Sequence, residues 1–212
     1  MKLEFKQKLI NIAREKIEGN DSSHDFEHAR RVLSNVELIS KVEGGDLDIL
    51  IPAALFHDVV IYPKNDPKSK NAPHESALMA GEILKMEIDY PPHKISAVEN
   101  AIRECSFHKE SAPNDTETRI LRDADKLEAT GIISIMRTYA SCGQMNRPFY
   151  NSDDPFCDNR KPEPFKYALD LFYDRLLVAK DKMYTKTARE IAEKRTNFLK
   201  IFIEELKREL KQ

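Results

Sequence analysis

The segment DLDILIPAALFHD, Asp46–Asp58, decides how the rest of the chain is read. Asp46 is suited to cap a helix, and the Ile49, Ile51, Ala53, Ala54, Leu55 and Phe56 that follow make that helix apolar nearly all round. Pro52 is tolerated on the reading that it falls within the first turn or so. A helix of this kind is buried. The pair His57-Asp58 at its end then needs partners inside the protein, because an imidazole beside a carboxylate is costly to bury unless paired or bound to a cation.

Working outward, the flanking stretches have helical spacing. Phe5, Leu9, Ile12 and Ile17 predict a first helix broken near Gly19-Asn20. Asp21 or Ser22 can cap a second, carrying Val32, Val36 and Ile39 and ended by Gly44-Gly45. The stretch from Tyr62 to Pro73 reads as an exposed loop. Further helices are expected near Glu75–Met86, His93–Cys105, Glu117–Thr138, Phe165–Asp181 and Lys186–Leu210. Alternating strand patterns are nearly absent, so the predicted fold is all-α, a helical bundle. Between Ser141 and Pro164 runs a Pro- and Asn-rich connection, read as a lid in preference to a domain boundary.

Composition bounds the function. The 212 residues are 41% hydrophobic and 33% charged, which suits one globular domain or two small lobes. With 34 basic against 36 acidic residues there is no global positive field to hold a polyanion, so bulk nucleic-acid binding is disfavoured. No apolar run approaches the ~20 residues that span a bilayer, and the charged start MKLEFKQKLINIAREKIEGN lacks a signal-peptide core, giving the expectation of a cytoplasmic protein without a membrane partner. Cys105, Cys142 and Cys157 lack a CxxC pattern and read as reduced thiols.

Six histidines are present, at 24, 28, 57, 74, 93 and 108. His24 and His28 are four apart on one predicted helix and so share a face. Asp123 and Asp125 lie in RILRDADKLEATGI, where Leu127, Ile132, Ile133 and Ile135 make the inner surroundings of Asp125 apolar. Neutral imidazoles with ionised carboxylates are transition-metal donors, and a divalent cation would offset the buried charge of both motifs. The economical arrangement is a His2Asp2 site.

Taken in order, SHDFEHARRV, LFHDVV and DADKLEATGI resemble the HD superfamily of metal-dependent phosphohydrolases, nearest to its small bacterial hydrolases. The C-terminal stretch from Leu171 to Leu206 is similar to the last two helices of those proteins. The resemblance implies a single HD-type domain over 1–212, with a metal-binding core at about 20–130 and C-terminal helices over 165–212 packed on it. It implies that His28, His57, Asp58 and Asp125 bind one divalent transition metal (Mn, Fe, Co, Ni or Zn), with His24 behind them. Asp58, His74 and His108 become the catalytic candidates; Lys126, Arg147 and His24 the substrate-binding ones. Asn146 and Tyr150 accompany Arg147 in the candidate lid. Asp123 ranks below Asp125 and reads first as a capping or hydrogen-bonding residue, and Tyr173, beside Arg175, first as core.

The implied activity is hydrolysis of a phosphoester or phosphoanhydride, by preference in a nucleotide, through a metal-activated water. The alternative is a sensor that binds metal and nucleotide without turnover. Val59-Val60-Ile61-Tyr62 stands where alarmone-cleaving relatives carry acidic residues, which argues against that substrate and leaves no proton donor near Asp58 in sequence. A homo-oligomer is compatible with the sequence, which does not fix the association state.

Overall fold

The structure, a computed structural model, describes residues 1–17, 25–63, 66–105 and 112–210. Among these residues every regular element is helical, as the spacing predicted. The chain divides into two compact units, Met1–Asp125 and Lys126–Gln212.

In the first unit, α1 spans Leu3–Ile17, α2 Phe26–Glu43, α3 Leu47–Phe56, α4 Ala72–Lys85 and α5 Ile95–Glu104, and α6 begins at Thr116. The apolar helix α3 is central and packs against α1, α2, α4 and α5. Leu50, Ala53, Ala54, Leu55 and Phe56 are completely buried, which is what a helix apolar on all sides requires. Asp46 caps α3, its carboxylate accepting from the Asp48 amide at 2.8 Å. At the end of α2, Gly44 adopts φ 83°, a left-handed stop that favours glycine.

Two local expectations are corrected. Asp25, not Asp21 or Ser22, caps α2. The described helix begins at Phe26, and His24, expected to share a face with His28, lies outside the described residues. Pro52 lies in the second turn of α3, beyond the first-turn positions that tolerate it freely. Lacking an N–H, it cannot serve the carbonyl of Asp48 four residues earlier. The buried Tyr90 hydroxyl donates to that carbonyl at 2.9 Å instead, so a side chain from the α4–α5 connection replaces the missing helical bond.

In the second unit, the helix expected over Glu117–Thr138 is interrupted: α6 ends at Lys126, a short tight turn covers Leu127–Ala129, and α7 runs Gly131–Gln144. Gly131 takes φ 68°, and a Cβ there would lie 3.1 Å from Arg195 Cβ, so the break is built around a residue without a side chain. The last helix, α8, occupies Lys186–Leu210 as expected and packs on α7.

The helix expected over Phe165–Asp181 reduces to short turns at Phe172–Leu176 and Ala179–Lys182. The reason lies in the preceding loop: the amides of Ala168 and Leu169 donate to the carbonyls of Pro148 and Phe149 at 3.0 and 2.8 Å, rather than to carbonyls within a helix. Asp170, fully buried, accepts both guanidinium nitrogens of Arg160 and the amide of Glu163. The connection read as a lid is thus stitched along its length into the C-terminal unit. Phe156 from this loop joins Leu169, Phe172, Leu176, Leu199 and Ile203 in the core, with Tyr173 packed against them. No described helix is long and apolar enough to cross a membrane.

Tyr90→Phe is expected to destabilise the protein by about 1 kcal/mol, and by less in a Pro52→Ala background, whose new amide serves the same carbonyl; urea denaturation of the double-mutant cycle measures both.

Burial disfavours the ionised Asp170 carboxylate, but the Arg160 and Glu163 bonds outweigh this and hold its pKa below the ordinary carboxylate range. Its contribution to stability is present above the unfolded value of ~3.9 and is lost as pH falls through the lower folded value. Asp170→Asn, which leaves Arg160 without its charge partner, is expected to cost about 3 kcal/mol at neutral pH, read from the denaturation midpoint.

Candidate metal centre

The site is assembled from three helix ends. The Asp25 carboxylate accepts the backbone amide of His28 at 2.8 Å and so fixes the first turn of α2, seating the His28 imidazole at 1% exposure. The apolar helix α3 delivers His57 as its last turn closes. His57 Nδ1 lies 2.9 Å from the Ala54 carbonyl, which can only accept, so Nδ1 carries the proton and Nε2 presents a lone pair. Asp125 comes from near the end of α6.

These side chains converge. The two Nε2 atoms of His28 and His57 are 3.3 Å apart. Asp58 Oδ2 lies 3.5 Å from His28 Nε2 and 3.6 Å from His57 Nε2, and Asp125 Oδ1 lies 3.5 and 3.9 Å from the same atoms. One donor atom each from His28, His57 and Asp125 falls within 4.8 Å of the other two, a group that could hold a metal ion. The imidazoles are buried, whereas the Asp58 and Asp125 side chains keep 32% and 26% exposure. The arrangement has a closed nitrogen floor and a carboxylate rim open to solvent.

The donor chemistry fits a divalent cation. Two nitrogen lone pairs at 3.3 Å repel unless a proton or a cation lies between them. Two carboxylates add negative charge at the same point, and a divalent ion would offset both effects. Of the residues expected to make the inner surroundings of Asp125 apolar, Leu127 is fully buried, but the helix breaks after Lys126 and Ile132 in α7 is 55% exposed, so the apolar run is not continuous, and the Asp125 side chain keeps 26% exposure.

The other expected site residues are not part of this group of donor atoms. His24 and His108 lie outside the described residues. His74 is exposed in the first turn of α4 and is not among the converging three. The Lys126 ammonium donates to the Lys182 carbonyl at 2.7 Å and sits 4.7 Å from the Tyr184 ring centre. Arg147 donates to the Pro164 carbonyl at 3.1 Å, tying together the two ends of its own loop. Asp123 is completely buried.

Two features escaped the sequence reading. Tyr62 Oη donates to Glu75 Oε2 at 2.5 Å, and the Val60 amide donates to Ser76 Oγ at 3.1 Å, so the start of α4 clamps the segment after Asp58. The Glu75 bond raises the Tyr62 pKa. A carboxylate therefore stands beside this segment after all, supplied from 13 residues further on. The second is Asn35, buried on α2, whose Nδ2 donates to the Ala124 carbonyl at 3.0 Å. No motif pattern marks either.

An all-helical scaffold that gathers two buried imidazoles and two half-exposed carboxylates at its helix ends defines a protein built around a candidate divalent-metal centre. The HD domain model matches residues 25–130, half of the chain, and the protein belongs to the HD-domain family. It is 30% identical over 195 residues to YpgQ of Bacillus subtilis, covering 89% of this chain and 85% of that protein. Its structure is similar to that of an HD-superfamily hydrolase from Bacillus thuringiensis, at a TM-score of 0.73 and 30% identity over 99% of this chain and 98% of the other. It is also similar to Bacillus subtilis YpgQ in complex with ADP, at a TM-score of 0.70 and 25% identity over 96% and 97% of the respective chains.

A manganese salt is expected to raise the thermal unfolding midpoint of the native protein, by the equivalent of about 2.7 kcal/mol at 100 times the dissociation constant. His57→Ala should abolish that shift, and acidification should weaken it because metal ligands bind in their deprotonated forms; differential scanning fluorimetry at several pH values reads both effects.

Proposed function

We propose that this chain is a metal-dependent phosphohydrolase that cleaves a phosphoester or phosphoanhydride bond of a nucleotide. The observation that carries the reading is the convergence of His28, His57, Asp58 and Asp125 with imidazoles enclosed and carboxylates open to solvent. A structural ion would be enclosed on every side, whereas this rim leaves room for water and substrate. The ADP held by YpgQ supports a nucleotide as the ligand, and the HD-superfamily hydrolase from Bacillus thuringiensis supports hydrolysis as the reaction.

In this reading His28, His57, Asp58 and Asp125 hold one divalent ion, with Mn, Fe, Co, Ni or Zn matching a mixed nitrogen and oxygen donor set. When bound, that ion lowers the pKa of a coordinated water and polarises a phosphoryl oxygen. His57, with its proton fixed on Nδ1 by Ala54, keeps Nε2 free to bind. Asp58 and Asp125 orient the attacking water from the open side. His74 and His108 remain the candidates for meeting phosphate or transferring the proton to the leaving group, and His24, Lys126 and Arg147 for binding substrate. The free cysteines at 105, 142 and 157 accord with a cytoplasmic setting.

Purified protein with manganese should turn over at least one of three classes: nucleoside triphosphates with release of pyrophosphate or phosphate, 5′-monophosphates with release of phosphate, or phosphodiesters with release of a nucleoside monophosphate. Asp58→Asn should lower that turnover by at least about a hundredfold through loss of a group acting on the water, read as formation of the product by chromatography on whichever substrate is cleaved. Binding of metal and nucleotide with no turnover on any of the three would replace the enzyme reading with that of a sensor.

A further inference from the structure

Asn35 lies two turns after His28 on α2, so the two side chains project from the same stripe of that helix. Both are buried, and both reach the end of α6. His28 Nε2 approaches Asp125 Oδ1 at 3.5 Å, and Asn35 Nδ2 donates to the carbonyl of Ala124 at 3.0 Å. The Ala124 carbonyl belongs to the rigid peptide plane that also contains the nitrogen and Cα of Asp125. Fixing that oxygen therefore fixes the direction in which Asp125 leaves the backbone. The place matters because α6 stops at Lys126, where the last carbonyls of a helix run short of partners, and Ala124 is fully buried away from water that could stand in.

We propose that Asn35 is the positioning residue for Asp125: through the Ala124 peptide it holds the α6 carboxylate at ion-binding distance from the imidazole that α2 itself supplies. The inference rests on the metal-centre reading above and assigns to it a residue outside the motif. The chemistry demands a neutral donor of this length. Leucine has the same size without a donor, and aspartate would set a carboxylate against a carbonyl oxygen.

The test compares native protein, Asn35→Leu and Tyr90→Phe, the last as a control that loses a comparable buried bond to a backbone carbonyl away from the site. Manganese affinity is measured by calorimetry, and the visible spectrum of the cobalt-substituted proteins reports ligand geometry. The expected result is manganese binding weakened by about tenfold or more in Asn35→Leu, with an altered cobalt spectrum, while Tyr90→Phe matches the native protein in both.

Asn35→Leu that binds manganese within about twofold of native, a change too small for loss of a residue that orients a metal ligand, with an unchanged cobalt spectrum, overturns the proposal and leaves the metal centre standing. Native protein that binds no metal overturns both. Should Asn35→Leu not fold, a zinc titration of the native protein followed by NMR decides: the Asn35 side-chain amide resonance moves if the residue carries the coupling, and a stationary resonance overturns it.

Discussion

Everything in the N-terminal unit turns on two imidazole nitrogens held 3.3 Å apart at the buried end of an apolar helix. Bringing two lone-pair donors and two carboxylates to one point is unfavourable without a counter-charge, and the unit meets that cost by packing. The helix α3 is enclosed by α1, α2, α4 and α5, so the position of His57 is set by side chains that have no chemistry of their own. The backbone assists: the Ala54 carbonyl selects the His57 tautomer, and the Asp25 cap fixes the turn that carries His28. A centre made this way is preorganised by the hydrophobic core rather than by the ligands alone.

The division between a closed nitrogen floor and an open oxygen rim gives the site its direction. The carboxylates are open to solvent and the imidazoles are not, so the site is accessible from one face. The segment after Asp58 is fixed by Ser76 and by the bond from Tyr62 to Glu75, which limits how far Asp58 can swing. The C-terminal unit has its own logic. There, the loop over 145–164 supplies Phe156 to the core and Arg160 to Asp170, so its order comes from burial and one buried ion pair, not from helical bonding.

Several elements were legible because their cause is local. The caps at Asp46 and Gly44, the apolar run of α3 and the full extent of α8 follow from spacing and capping preferences that act within a few residues. The misread elements had a distant cause. The stretch Phe165–Leu171 has helical spacing, but the amides of Ala168 and Leu169 donate to Pro148 and Phe149 in the preceding loop. Pro52 seemed to require a place in the first turn because its substitute donor, Tyr90, stands 38 positions later, a separation evident only once the Asp48 carbonyl and the Tyr90 hydroxyl are seen together.

The sequence by itself determined the helical class of the protein, because hydrophobic period is written in residue order, and its donor types called for a site of two histidines and two aspartates, to which the HD resemblance gave the numbers 28, 57, 58 and 125. Only the tertiary structure decided that the imidazoles are enclosed while the carboxylates face water, that Asn35 bonds the carbonyl preceding Asp125, and that Glu75 bonds Tyr62 in the segment after Asp58. Distance in space and access to solvent are set by which helices pack together, and no single segment carries that information.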